Sequence, residues 1–257
     1  MSVLRSVSAA AFFSVAAFAG SIPAPAAEVV PVAGATPVPA VAPMSPQEAL
    51  DDLKAGNRRF ANDELREAKL SSKRRIQLSQ SQHPMSVVLT CSDSRAAPEI
   101  IFDQGLGEIF VVRVAGNVGG PEVYASIEYA VAELKAPLVV VLGHSHCGAV
   151  ATALKAKELP SYNLKLLIGL VNVGEDLPTN PEMALAAAIR NNVREQTLFL
   201  TQQSEIIRRA AKAGEIMIVP AIYDLESGQV AWGNPADRSL PAGDDAPVEV
   251  TSAGAPK

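Results

Sequence analysis

Four short, almost unbroken apolar runs punctuate the chain: Ser86–Thr90 (SVVLT), Ile109–Val114 (IFVVRV), Pro137–Leu142 (PLVVVL) and Glu215–Leu225 (EIMIVPAIYDL). Their length and β-branched content predict strands, and the lack of polar alternation predicts burial on both faces. Gln229–Trp232 follows a turn at Ser227-Gly228 and is expected to pair with the fourth run. Between the runs the period changes to that of a helix. Pro121–Lys135 places Val123, Ile127, Val131 and Leu134 on one face. Ala149–Lys157 reads as another helix, and Asn180 caps a long one that opens Pro181-Glu182 and ends near Gly214. Upstream, Ser45, Pro46 and Glu48 form a capping box ahead of the apolar face Ala49-Leu50-Leu53, and Arg58–Lys73 is charged and helical in pattern. Strands that alternate with helices predict an α/β fold with a mainly parallel sheet covered on both faces. In such sheets ligands bind at the carboxyl ends of the strands.

The flanks have a different texture. Arg5 and the apolar run from Ala9 to Ala19 resemble a secretory signal, with small-x-small cleavage patterns at Ala17-Phe18-Ala19 and Ala24-Pro25-Ala26. An uncleaved membrane anchor is the alternative, disfavoured because the run is too short to span a bilayer. Seven of the nineteen prolines lie between Pro23 and Pro46, as in an extended spacer. The sequence thus divides into a signal peptide (1–26), a Pro/Ala-rich spacer (27–44), a catalytic domain (45–233) and a disordered tail (234–257). Export to the periplasm or medium follows, with no stable membrane insertion once the signal is cleaved.

The chain of 257 residues is 48% hydrophobic and 19% charged, enough apolar material for one sizeable core. Its net charge of −5 argues against nucleic acid as a partner. Only His83, Cys91, His144, His146 and Cys147 offer sulfur or imidazole chemistry. In an exported protein, two cysteines are most simply a disulfide. Yet Cys91 directly follows the first predicted strand, and His144 and Cys147 follow the third with the spacing H-x-x-C. Two thiolates and one imidazole at neighbouring strand ends also make a Zn2+ ligand set that leaves a fourth position for water. A helix starting after Cys147 would favour its thiolate. Asp93 is placed to ligate the ion or to accept a hydrogen bond beside it, with Arg95 fixing the carboxylate. The plain alternative for Asp93 and Arg95 is a loop salt bridge. His146 reads as an exposed loop residue, or else as a proton relay.

The segments CSDSR (Cys91–Arg95), PEIIFDQGLGEIFVVRVAGNV (Pro98–Val118), SIEYAV (Ser126–Val131) and VVVLGHSHCGAV (Val139–Val150) together resemble the β-class carbonic anhydrases. GNRRF (Gly56–Phe60), QHP (Gln82–Pro84) and IYDLESGQV (Ile222–Val230) extend the resemblance from Leu50 to Trp232. It implies a four-stranded parallel core sheet with one added strand, flanked by helices. It implies a lyase that interconverts CO2 and bicarbonate by attack of a zinc hydroxide. The zinc would be held by Cys91, His144 and Cys147, with Asp93 and Arg95 as a dyad and Asp93 able to become a fourth ligand. Gln82 would bind substrate and Phe110 would line the CO2 pocket. A homodimer or tetramer is implied, with the active-site cleft at the dimer interface.

Competing expectations are a zinc hydrolase of a CO2 analogue such as carbon disulfide or carbonyl sulfide, a non-catalytic zinc- or bicarbonate-binding member, and a disulfide-stabilised module. Some relatives carry a regulatory bicarbonate site resembling a Trp–Arg–Tyr triad. Here Val88 stands at the Trp position, with Arg113 and Tyr223 at the others. Valine has no N–H to donate, so water, not Asp93, is expected in the fourth zinc position at neutral pH.

Overall fold

A computed structural model describes residues 44–66, 69–155 and 158–241. The predicted signal, all but Met44 of the spacer, and residues 242–257 of the predicted tail lie outside the described residues. The elements run α1 (Pro46–Ala61), α2 (Ser72–Leu78), β1 (Ser86–Thr90), α3 (Pro98–Ile101), β2 (Ile109–Arg113), α4 (Pro121–Ala132), β3 (Leu138–His144), α5 (Gly148–Leu154), α6 (Tyr162–Gly169), α7 (Pro181–Gln203), α8 (Glu205–Lys212), β4 (Met217–Tyr223) and β5 (Val230–Trp232). The sheet order is β2-β1-β3-β4-β5, parallel through β4, with β5 added antiparallel. The expected four-stranded parallel core with an added strand is therefore the observed one.

Every residue of β1 and β3 is buried, which is why neither run alternates in sequence. The pleat sorts their side chains onto two faces. Val87, Leu89, Val139 and Val141 pack with Ile127 of α4, Val193 and Leu200 of α7 and Ile207 of α8. Val88, Val140 and Leu142 pack on the other face with Leu50 and Leu53 of α1 and with Phe102. Full burial of side chains of this size contributes about 1.5–3 kcal/mol each.

The GNRRF segment explains itself as a clasp. A Cβ on Gly56 would lie 1.8 Å from the Phe102 carbonyl oxygen, so only glycine lets α1 sit this close. Asn57 Nδ2 then donates to the carbonyls of Ile101 (3.2 Å) and Gly228 (2.9 Å), while its Oδ1 accepts from Val230 N (2.9 Å). Arg59 pairs with Asp103.

Three expectations are corrected, and two short elements are added. Arg58–Lys73 is not one helical stretch: α1 stops at Ala61, and Asp63 takes a left-handed φ of 59° that aspartate tolerates. The helix expected to run from Pro181 to near Gly214 breaks at Ser204, whose extended backbone lets its hydroxyl cap α8 at Ile207 N. Residues 234–241 are not a loose tail, since Arg238 donates to Thr201 and Leu240 packs on the core. Short α3 and α6 are the elements the pattern leaves unread; α6 carries only the short apolar repeat Leu164, Leu167 and Ile168, none of it fully buried.

Candidate metal centre

Cys91 follows β1, His144 ends β3, and Cys147 caps α5. The β1–β3 register pairs Thr90 with Leu142, so the parallel ladder alone brings Cys91 level with the end of β3. The three donor atoms lie within 4.8 Å of one another, and all three residues are buried. Both cysteines are free, which overturns the disulfide reading. Among the described residues this is the one group of His, Cys, Asp and Glu side chains close enough to share an ion.

The histidine carries the clearest sign of what the site holds. Nδ1 lies 2.9 Å from the Ser145 carbonyl, an arrangement that puts the proton on Nδ1 and a lone pair on Nε2. Nε2 is buried without a hydrogen-bond partner. Such an atom costs about 1–3 kcal/mol if nothing meets it. Two sulfurs opposite that lone pair fit Zn2+.

The thiols share their proton unequally. The neighbouring Cys147 thiol, donating to Cys91, lowers the Cys91 pKa to about 4 against the cost of burial, helped by the Gly116 and Asp93 amides. Cys147 is correspondingly pushed up, by Cys91 first and by burial second. Gly116 N donates to Cys91 Sγ at 3.2 Å. Gly116 sits at φ 78°, a conformation that glycine adopts at no steric cost. The sequence reading passed over it; the glycine of Ala115-Gly116-Asn117 was the available signal.

Asp93 and Arg95 form a fork. Oδ1 accepts from Arg95 N (3.0 Å) and Nε (2.9 Å), and Oδ2 accepts from Nη2 (2.7 Å). The Arg95 guanidinium holds the carboxyl well below the usual range. Asp93 Oδ2 stands 3.8 Å from His144 Nε2, beyond hydrogen-bond reach but beside the donors. Arg113 clasps the same loop, donating to the carbonyls of Cys91 (3.1 Å) and Asp93 (2.6 Å). Val88 and Tyr223 are buried on one core face. His146 is exposed, at φ 54°.

Gln82 and Phe110 stand elsewhere. Gln82 precedes β1, at the amino end of the sheet, and lines a groove of about 860 Å³ with Leu78, His83, Leu106 and Tyr129. Phe110 is in register with Val87 and packs against Tyr129, ring centroids 6.4 Å apart. At ~3.3 Å per residue, most of the length of β1 separates both from Cys91. One chain therefore does not bring them to the metal centre.

Comparison with known proteins names this arrangement. A family model described as carbonic anhydrase matches residues 86–230. The carbonic anhydrase of Mycolicibacterium smegmatis is 40% identical over 190 residues, covering 72% of this chain and 92% of the relative. Carbonic anhydrase 2 of Mycobacterium tuberculosis is 38% identical, covering 72% and 91%. Among solved structures, the β-carbonic anhydrase CcaA superposes with a TM-score of 0.56 at 29% identity, over 65% of this chain and 87% of that one. Tetrameric β-carbonic anhydrases of Sordaria macrospora superpose with a TM-score of 0.57 at 25% identity, over 72% and 93%. These findings favour carbonic anhydrase over hydrolysis of a CO2 analogue or a non-catalytic role. With a parallel sheet presenting two cysteines and a histidine to one ion, the chain belongs to the β-class carbonic anhydrases.

Proposed function

We propose that each active centre is shared between two copies of the chain, the metal-binding half from one and the substrate-binding half from the other. The reaction itself, zinc-dependent reversible hydration of CO2 to bicarbonate and a proton, follows from family membership. Cys91, His144 and Cys147 would hold the Zn2+. The observation that carries this assignment is the buried, unpartnered Nε2 of His144 facing two thiols. When bound, the ion supplies Lewis acidity that makes a water nucleophilic near neutral pH.

The chain's own residues do the rest. Arg95 keeps Asp93 ionised and fixed. Asp93 Oδ2, beside His144, accepts the hydrogen of the attacking oxygen and so aims its lone pair at the carbon. Gln82 of a second copy donates to the oxygen on which charge develops, and Phe110 of that copy walls the CO2. A shared centre is supported by the distance of both residues from Cys91 within one chain, and by the tetrameric assembly of the Sordaria macrospora relatives. The exposed Tyr129 and Leu106 in the Gln82 groove give a second copy an apolar surface to cover.

In this reading Asp93 stays with Arg95 and is not a fourth ligand at neutral pH. Arg113, spent on the Cys91 and Asp93 carbonyls, and Val88 without a donor leave no regulatory bicarbonate site. Bicarbonate then acts only as substrate and product. An N-terminal signal within residues 1–26 directs export and is cleaved after Ala19 or Ala26, so the mature terminus lies near Gly20 or Ala27 and is readable by mass spectrometry. The deciding experiment is a CO2 hydration assay on mature protein with metal quantified. Activity proportional to about one Zn2+ per chain is expected; metal-free full activity excludes the assignment. A steep, cooperative loss of activity at low pH that bicarbonate deepens would contradict the open site.

A further inference from the structure

Helix α7 buries polar side chains where a helix on a sheet normally buries apolar ones: Asn192 and Gln196 are 0% and 1% exposed. Each amide is satisfied at both ends. Asn192 Oδ1 accepts from Asn172 N (3.1 Å) and Nδ2 donates to the Gly116 carbonyl (2.8 Å). Gln196 Oε1 accepts from Gly119 N (2.7 Å) and Nε2 donates to the Leu170 carbonyl (2.9 Å). The backbone partners fix the orientation of both amides. Two loops, 115–119 and 170–174, are thus tied to one helix face.

One of these bonds reaches further than the others. The residue whose carbonyl Asn192 holds is the residue whose N–H donates to Cys91 Sγ at 3.2 Å. Gly116, at φ 78°, has a soft backbone that does not set its own orientation. Remove the Asn192 anchor and the 116–117 peptide keeps only the bond from Asn117 N to the Val114 carbonyl (2.8 Å), so the glycine can swing and draw its N–H off the sulfur. We propose that Asn192 is a positioning residue of the metal centre: by anchoring Gly116 it holds the N–H···S bond that tunes Cys91 as a metal donor. This rests on Cys91 being a zinc ligand.

Asn191 supplies the control. Its Nδ2 donates to the Val173 carbonyl (2.9 Å), so it clasps the 170–174 loop from the same helix without holding Gly116. Asn192→Leu and Asn191→Leu both cut a clasp bond; only the first should reach the metal. The probes are zinc competition against a chelator and the thiolate-to-metal charge-transfer bands of the Co2+-substituted protein. Asn192→Leu should bind zinc ~10–100-fold more weakly, the usual scale for a partner of a ligand. Its charge-transfer bands should move to lower energy, because a sulfur stripped of its N–H gives up charge more readily. Asn191→Leu should match the wild type in both. Unchanged affinity and bands in Asn192→Leu overturn the proposal, and so do equal changes in the two variants, which would make the clasp merely structural. If Asn192→Leu does not fold, Asn192→Ser is read by the same criteria. Thiolate bands missing from the wild-type cobalt protein would instead defeat the ligand assignment, a separable failure.

Discussion

The two ends of the sheet are built on different principles. At the carboxyl end, Cys91, His144 and Cys147 converge because β1 and β3 are hydrogen-bonded neighbours; one chain suffices. At the amino end, Gln82, Leu106 and Tyr129 line an open groove beside the edge strand β2, and none of the described residues closes it. The carboxyl end is buried and mostly satisfied, with His144 Nε2 and Asn117 Nδ2 the two buried atoms left without a partner among the described residues. The amino end exposes Leu106 and Tyr129, an apolar surface in want of a neighbour. In the proposed reading, a single chain is complete as a metal centre and incomplete as a catalyst.

The comparison can be broken at either end. The largest effect is expected from His144→Ala, which should empty the metal centre and abolish CO2 hydration; full zinc by elemental analysis would remove His144 from the ligand set. Next is Arg95→Ala, which should keep most of the zinc but lower turnover ~10–100-fold, since Asp93 loses its orienting partner. Near-normal turnover would return the pair to an ordinary loop salt bridge. A mixing experiment tests the division itself. Gln82→Ala and His144→Ala proteins, each impaired alone, should regain activity when dissociated and reassembled together. The mixed dimer then holds one intact centre, built from the zinc ligands of one chain and Gln82 of the other. No recovery in a demonstrated mixed dimer would place Gln82 in service of its own chain.

The smallest effect concerns stability. Asp103 accepts from Arg59 and Arg66. Burial pushes its pKa up, but the two guanidinium bonds outweigh it and leave it lowered. A lowered folded pKa means stabilisation that is fully present above the unfolded value of ~3.9 and lost as the pH falls through the folded one. Asp103→Asn should cost ~1–3 kcal/mol near neutrality and flatten the acid limb of a stability-against-pH curve, with zinc content unchanged. An acid limb as steep as the wild type's would assign that limb to other carboxylates.

Much of this was legible in the chain. Unbroken apolar runs gave β1, β3 and β4 within a few residues, because burial on both faces leaves no polar alternation to confuse. The capping box at Ser45 and Glu48 appears as read, each side chain bonded to the other's backbone N–H. CSDSR and H-x-x-C marked the metal centre because chemistry at strand ends is local in sequence. What stayed hidden was long-range or lacked a pattern. Ser204 breaks a helix by turning its backbone, which no hydrophobic period records. Gly116 and Asn192 meet across widely separated segments through one carbonyl. Gln82 and Phe110 carried a resemblance but no address, and the sheet register alone shows how far they stand from Cys91.

The central position of β3 has a consequence for synthesis on the ribosome. Its partner on one side, β1, is made before it, but its other partner, β4, does not exist until Met217–Tyr223 has been translated. At ~5–20 residues per second, a nascent chain carries a strand that is apolar up to its terminal His144, with one bare edge, for several seconds. Such an edge is a template for pairing with any other strand. The order of the strands thus sets a window in which that edge of β3 stays open to a foreign strand.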